Sequence, residues 1–210
     1  MKTEETTELQ TVEPEELDNT YSYPEYRDHV ESRLNDHRST GENHSEEMLH
    51  YSKMNLFRMK RLDRFMELSE PLRQRIASVR RPMEWVVLTE GWCGDAAQTL
   101  PCIYKISEQS DRIRLRLVLR DKHPDLIQRF LTNGNSRSIP KLICLDAETR
   151  EVLGTWGPRP ETAQSLNEEL RSDEDVSVQE RAERLHKWYT DNRCREVEQE
   201  FLALIDDWDG

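Results

Sequence analysis

The stretch Val86-Val87-Leu88-Thr89-Glu90-Gly91-Trp92-Cys93-Gly94-Asp95-Ala96 decides the fold, because it joins two different periodicities. An apolar, β-branched run ends at Gly91, and apolar residues recur at helical spacing after Gly94. The stretch therefore predicts a strand that passes into a helix, with Cys93 at the junction. The unpaired backbone N–H groups of a helix N-terminus favour a thiolate, which is the reactive form of cysteine.

Two motifs and their spacing carry a resemblance to a known family. The residues Trp92-Cys93-Gly94-Asp95-Ala96 resemble the Trp-Cys-Gly-x-Cys site of the thioredoxin superfamily, with alanine in place of the resolving cysteine. Ile139 lies 46 positions after Cys93, and Ser138-Ile139-Pro140-Lys141-Leu142 resembles the loop that carries the family's cis-proline. The form Cys-Gly-Asp-Ala-Ala-Gln, with the upstream segment 55–62, resembles a bacterial branch of thioredoxin-like proteins.

The resemblance implies an α/β, thioredoxin-like fold, in which helices flank a central mixed β-sheet. The segments 142–145 and 151–156 resemble its closing β-hairpin, and the residues from Glu161 onward resemble its last helix. We predict four parts. Residues 1–20 form a disordered acidic tail, and residues 21–81 form an N-terminal helical extension. Residues 82–171 form the thioredoxin-like core, and residues 172–210 form a C-terminal helical extension.

Helical periodicity supports both extensions. Ser45 is placed to cap a long helix that ends near Met66, whose apolar residues share one arc: Met48, Tyr51, Met54, Met59, Leu62, Phe65 and Met66. A second apolar stripe in the C-terminal part contains Val178, Ala182, Leu185 and Tyr189. These stripes either cover the core or pack across a dimer, so the sequence leaves the oligomeric state open.

Composition excludes several classes of protein. The 210 residues carry a formal net charge of -12, and both ends of the chain are acidic. Nucleic-acid binding requires a clustered basic face, so we expect no nucleic-acid partner. The sequence has no apolar run near the ~18 residues of a membrane span and no apolar leader, which predicts a cytoplasmic protein without a membrane partner. The histidines lack metal-ligand spacing, so we expect neither a metal nor another cofactor.

The four cysteines predict monothiol chemistry. Cys102 lies about 13–14 Å from Cys93 along the predicted helix, whereas a disulfide requires Cα atoms within roughly 7 Å. Cys144 lies in a predicted buried strand and is interpreted as a core residue. Cys194 lies among charged residues, where we expect it to be exposed, and the sequence leaves open whether it reaches Cys93.

The resemblance implies that Cys93 is the nucleophile. The predicted flanking residues are Trp92, Gly94, Asp95, Ala96, Ile139 and Pro140. A cis Pro140 is expected to expose the Ile139 backbone to an extended peptide or thiol ligand. Because Asp95 adds a like charge, we predict a pKa for Cys93 only modestly below the value of about 8.5 for free cysteine.

Three basic residues are predicted to bind an anion near Cys93. Arg137 and Lys141 flank the Ile139-Pro140 pair, and the resemblance makes them the best-placed cations for the carboxylates of glutathione. Arg58 falls within the apolar arc of the long helix, where a buried arginine needs a carboxylate partner such as Asp95.

Two functions remain open from the sequence. The first is a monothiol thiol-disulfide oxidoreductase or redox sensor that uses Cys93, with glutathione, another small thiol or a protein thiol or disulfide as partner. The second is a non-catalytic thioredoxin-fold module that binds a peptide or protein beside Pro140. Retention of Trp-Cys-Gly favours the first, whereas loss of the resolving cysteine favours the second.

Overall fold

The computed structural model describes residues 10–210, in which a mixed four-stranded sheet forms the centre. The strands are β1 (Met83–Thr89), β2 (Ile113–Leu119), β3 (Lys141–Asp146) and β4 (Val152–Trp156). Their order across the sheet is β2-β1-β3-β4. Strand β1 pairs parallel with β2 and antiparallel with β3, and β3 pairs antiparallel with β4. The predicted α/β fold with a mixed sheet is confirmed.

Helices flank this sheet, and further helices precede its first strand and follow its last strand in the chain. They are α1 (Tyr23–Asn35), α2 (Glu46–Phe65), α3 (Glu70–Ala77), α4 (Gly94–Ser107), α5 (Pro124–Arg129), α6 (Glu161–Ser172), α7 (Val178–Asn192) and α8 (Arg195–Asp209). The predicted cap of α2 is confirmed, because the Ser45 side chain accepts the N–H of Met48 at 3.4 Å. Within residues 10–210, no helix is both long enough and apolar enough to cross a membrane.

Helix α8 is part of the central core. Trp85 of the buried strand β1 packs against Phe201 and Trp208 of α8, with ring centroids 5.3 and 5.9 Å apart. Gly154 of β4 permits this approach, because a Cβ atom there would lie 2.3 Å from Nε1 of Trp208. The C-terminal end of the chain therefore completes the core rather than adding a separate layer.

The segment before α1 pairs with both outer strands of the sheet. The Val152 N–H of β4 donates to the carbonyl of Gln10 at 2.8 Å, and Tyr21 exchanges two backbone hydrogen bonds of 2.8 Å with Leu117 of β2. Val12 between them is fully buried. The prediction of a disordered tail over residues 1–20 is therefore wrong for residues 10–20, and its remainder lies outside the described residues.

Two apolar residues do not take the buried positions that helical periodicity predicts. Phe65 at the end of α2 is 68% exposed, and Val178 at the start of α7 is 69% exposed. Both residues lie in a terminal turn, and each lines an open cavity at the surface instead of a packed contact. The predicted apolar stripes are wrong at these two positions.

Candidate functional site around Cys93

Cys93 lies at the junction of β1 and α4, as its sequence context predicts. It is the N-cap residue of α4, and its sulfur accepts the backbone N–H of Ala96 at 3.4 Å. Its thiol donates to the carbonyl oxygen of Ile139 at 3.2 Å. The Ile139-Pro140 peptide bond is cis. The structure therefore brings together the two predicted motifs, and the predicted cis-proline is confirmed.

Burial makes Cys93 a weak acid. The residue is only 6% exposed, and burial together with the nearby Asp95 raises the pKa of its thiol to about 12. The N–H of Ala96 opposes this shift but does not overcome it. The predicted pKa slightly below that of free cysteine is therefore wrong. The prediction considered the effects of the helix N-terminus and of Asp95 on the thiol. It did not consider the loss of hydration on burial, which has the largest effect on this pKa.

Ile139 is also less accessible than predicted. The residue is 5% exposed, and its carbonyl oxygen accepts a hydrogen bond from the thiol of Cys93. A peptide that donated a hydrogen bond to this carbonyl would first have to displace the thiol. The expected exposure of Ile139 beside Pro140 is therefore wrong, because the chain itself uses the hydrogen-bonding group that a ligand would need.

Asp95 is held by partners from two distant segments. Arg159 forms an ion pair with its Oδ2 at 2.6 Å, and the hydroxyl of Tyr189 in α7 donates to its Oδ1 at 2.9 Å. Burial still raises the pKa of Asp95 above its ordinary value, against the opposing effect of Arg159. The predicted pairing of Asp95 with Arg58 is wrong, since Arg58 donates to Asn55 at 2.8 Å.

Helix α7 covers the start of α4. A Cβ atom at Gly94 would lie 2.9 Å from Cε1 of His186, so the glycine permits this close approach. Burial, with a smaller contribution from Arg58, lowers the pKa of His186 to about 4. His186 is therefore neutral at pH 7, and α7 forms one wall of the site around Cys93.

A second buried carboxyl group lies before Cys93. Glu90 accepts hydrogen bonds from the Thr40 hydroxyl and from the Asp121 backbone N–H, the latter at 3.0 Å. Burial raises the pKa of Glu90 to about 7. The Trp92 ring lies nearby in the chain, and the guanidinium of Arg120 stacks over it at 4.8 Å. These contacts attach the loop before α2 and the segment after β2 to the residues between β1 and Cys93.

The other cysteines do not supply a resolving thiol. Cys144 is fully buried in β3, where its thiol contacts the sulfur of Met83 at 3.6 Å, so its predicted core role is confirmed. Cys194 is buried rather than exposed, and its thiol lies 3.8 Å from the carbonyl of Gln98. Hydrogen bonding with Cys194 and burial raise the pKa of Cys102 well above its ordinary value. Cys194 thus packs against Cys102 rather than Cys93, and its predicted exposure is wrong.

The three predicted cations have different positions. Arg137 is exposed and bonds to Gln128 at 2.6 Å, and Lys141 is buried in β3, where burial lowers its pKa. Arg58 alone of the three lines the cavity of about 280 Å³ that reaches Gly94 and Asp95. The basic residues of this cavity are Arg58, Arg159, Arg181 and His186.

Sequence reasoning missed three residues of this site: Arg159, Tyr189 and His186. The segment Gly157-Pro158-Arg159-Pro160 places an arginine between two prolines directly after the closing hairpin, a restricted backbone that could have indicated a fixed side chain. Tyr189 and His186 carried no such indication, because their role depends on how α7 folds back. Within residues 10–210, no three histidine, cysteine, aspartate or glutamate side chains are grouped to hold a metal ion.

Comparisons with known proteins agree with the observed fold. A family model described as thioredoxin matches residues 41–171. A crystal structure of an HIV epitope-scaffold aligns with a TM-score of 0.56 and 16% identity, covering 84% of this chain and 96% of that one. A protein of unknown function from Pseudomonas aeruginosa aligns with a TM-score of 0.53 and 19% identity, covering 89% of this chain and 98% of that one. No curated protein matches the sequence.

Proposed function

The chain belongs to the thioredoxin family, and from this premise we propose that it is a non-catalytic thioredoxin-fold module that binds a partner protein. The observation that carries the proposal is the buried thiol of Cys93, which donates to Ile139 and has a pKa of about 12. At pH 7, a buried thiol with its pKa raised this far is almost wholly protonated. Thiol-disulfide exchange requires the thiolate, so the thiol of Cys93 is poorly suited to exchange while the site is closed.

The absence of a nearby second thiol supports the same conclusion. Ala96 occupies the position one helical turn after Cys93, where a resolving cysteine would lie. Cys102 and Cys194 are buried against each other at a more distant point of α4. A mixed disulfide on Cys93 would therefore depend on a thiol from solution, which the cover formed by α7 keeps away.

A second candidate function is monothiol exchange after α7 opens. The N–H of Ala96 donates to the Cys93 sulfur at 3.4 Å, an interaction that stabilises a thiolate once the site is hydrated. The thiolate would attack one sulfur of a glutathione or protein disulfide, the old S–S bond would break, and the leaving thiolate would take a proton. In this alternative Cys93 is a redox sensor that reports displacement of α7.

The two functions differ in the reactivity of Cys93. We expect the wild-type protein to reduce hydroxyethyl disulfide in the presence of glutathione no faster than the Cys93→Ser variant. Iodoacetamide labelling, resolved by peptide mass spectrometry, should modify Cys93 slowly in the native state, with Cys144 as the internal control for global unfolding. Turnover that depends on Cys93 would overturn the non-catalytic proposal and favour the monothiol alternative.

We also propose a location in the bacterial cytoplasm. The four cysteines are free in the described residues, and unpaired thiols are typical of a reducing compartment. The bacterial assignment depends on the resemblance of the Cys-Gly-Asp-Ala-Ala-Gln form. Fractionation of the source cell, with detection by antibody, tests the location.

A further inference from the structure

We propose that the groove between α2 and α7 binds an extended acidic segment of a partner protein that also carries apolar side chains. This inference rests on the proposed function as a binding module and adds the location and the chemistry of the ligand. The term basic groove denotes the surface lined by α2, α7 and the residues around Gly94.

The basic groove is continuous along α2. The cavity of about 280 Å³ at Gly94 shares Arg58 and His186 with a neighbouring cavity of about 360 Å³. That cavity shares Arg61 and Thr190 with a third one of about 420 Å³, which reaches Phe65. The lining runs from Met48 to Phe65, about 25 Å along a helix, which matches seven or eight residues of extended chain.

Cations dominate the lining although the whole chain is acidic. The groove contains Arg58, Arg61, Arg159, Arg181, Lys187 and Arg193, against the carboxylates of Asp95 and Glu67. Arg159 and Lys187 have ion-pair partners. Arg58, Arg61, Arg181 and Arg193 have no carboxylate within ion-pair distance among residues 10–210. A protein of net charge -12 that collects four unpaired arginines in one groove is complementary to an acidic ligand.

The groove also collects the exposed apolar side chains. Phe57, Phe65 and Val178 are each about two-thirds exposed, and they are the large apolar residues exposed in the described part of the chain. All three line the groove. Such a patch next to polar residues is typical of a protein-binding surface.

The spacing of two of these side chains restricts the ligand. Phe57 and Phe65 lie eight residues apart on α2, which is a rise of about 12 Å along the helix axis. An extended ligand spans this distance in about four residues, and residues i and i+4 of a strand point to the same side. The expected ligand therefore carries apolar side chains four residues apart, with carboxylates between them that meet the arginines.

A nucleic acid fits this surface less well. Its phosphates form a dense, uninterrupted row of negative charge. The groove offers four unpaired cations within residues 10–210, and their spacing is interrupted by apolar side chains. Carboxylates separated by apolar anchors match this pattern better, so the proposal commits to a protein segment.

The test uses the full chain and a defined probe. The probe is a fluorescein-labelled octapeptide with leucine at positions 2 and 6 and glutamate elsewhere, measured by fluorescence anisotropy. We expect saturable binding that weakens with added salt. The double variant Arg61→Glu/Arg193→Glu should lower the affinity at least tenfold, and Phe57→Ala should lower it severalfold. The double variant Arg112→Glu/Arg114→Glu, which changes two exposed residues outside the groove, is the charge-matched control and should leave binding unchanged.

Each outcome separates this inference from the proposed function. Thermal melts followed by circular dichroism verify that the variants, which change exposed residues, remain folded. No binding at millimolar peptide, or binding that the double variant does not weaken, overturns the basic groove as the docking site. Tighter binding of a labelled eight-nucleotide thymidine strand than of the peptide also overturns it. These results leave the non-catalytic proposal untouched, because that proposal fails only if Cys93 turns over.

Discussion

The helices α7 and α8 follow each other in the chain but cover the domain in different ways. Residues Phe201, Ile205 and Trp208 of α8 are almost fully buried and belong to the main core. The buried residues of α7, Leu185 and Tyr189, form a small separate cluster with Ala163 of α6. Helix α8 therefore stabilises the whole domain, whereas α7 adds local contacts.

The difference shows which helix the domain is able to release. Helix α7 contacts the site largely through polar groups, since Tyr189 donates to Asp95 and His186 lies against Gly94. Segments with few buried apolar contacts open locally at a lower free energy than the core unfolds. We therefore expect α7 to control access to Cys93, while α8 stays in place.

The largest expected effect concerns the stability of the whole domain. Phe201→Ala in α8 should lower the free energy of unfolding by about 3–5 kcal/mol, because it removes a fully buried ring from the main core. Leu185→Ala in α7 is the comparison and should cost about 2 kcal/mol, since its cluster is small. Urea unfolding followed by tryptophan fluorescence measures both. Equal losses would contradict the distinction between the two helices.

A smaller effect concerns the opening of α7. Tyr189→Phe removes the hydrogen bond to Asp95, which contributes about 1 kcal/mol, and leaves the ion pair with Arg159 in place. Iodoacetamide should then label Cys93 about fivefold faster, if labelling proceeds through the open state. Tyr104→Phe is the control, because its hydroxyl donates to Glu108 on the surface. An unchanged rate in Tyr189→Phe would show that α7 does not limit access.

The smallest expected effect is a pH dependence of the same opening. His186 has its pKa lowered to about 4 in the folded protein, against about 6.5 when α7 is open. Between these values the open state binds more protons, so the closed state loses stability as the pH falls below about 6.5. Because His186 is half-buried, lowering the pH from 7.5 to 5.5 should favour opening by about two- to threefold.

The His186→Gln variant isolates this effect. The ratio of Cys93 labelling rates, wild type over variant, removes the intrinsic pH dependence of the thiol because both proteins share it. The ratio should rise as the pH falls toward 5.5. A ratio that stays constant would mean that the imidazole remains hydrated and that α7 closes by other contacts.

The local sequence predicts the secondary structure around the site, because neighbouring residues determine where each strand or helix begins and ends. The apolar run before Gly91 predicts β1, and Ser45 predicts the start of α2. Each of these two features depends on residues within a few positions of one another. Their placement in the structure therefore agrees with the sequence analysis. The cis bond of Pro140 opposite Cys93 is instead implied by the resemblance to the thioredoxin superfamily.

The predictions that are wrong concern contacts between segments that are distant in the chain. The sequence does not reveal that Arg159 rather than Arg58 pairs with Asp95, or that α7 folds over Gly94 and dehydrates the thiol. It places Cys194 on the surface because its chain neighbours are charged, yet α4 covers its side chain. Helical periodicity likewise identifies an apolar face but not whether a neighbouring element packs closely enough to bury it, so the prediction for Phe65 is wrong.

The pairing of residues 10–21 with both outer strands has a consequence for self-association. Unpaired backbone groups at the border of a sheet recruit strands from other molecules, which leads to aggregation. Here Gln10 occupies part of the free side of β4, and Tyr21 occupies part of the free side of β2. A shortened chain that keeps only the family-matched residues 41–171 would lose both of these backbone pairings. We therefore expect residues 10–21 to limit the addition of strands from neighbouring molecules to this sheet.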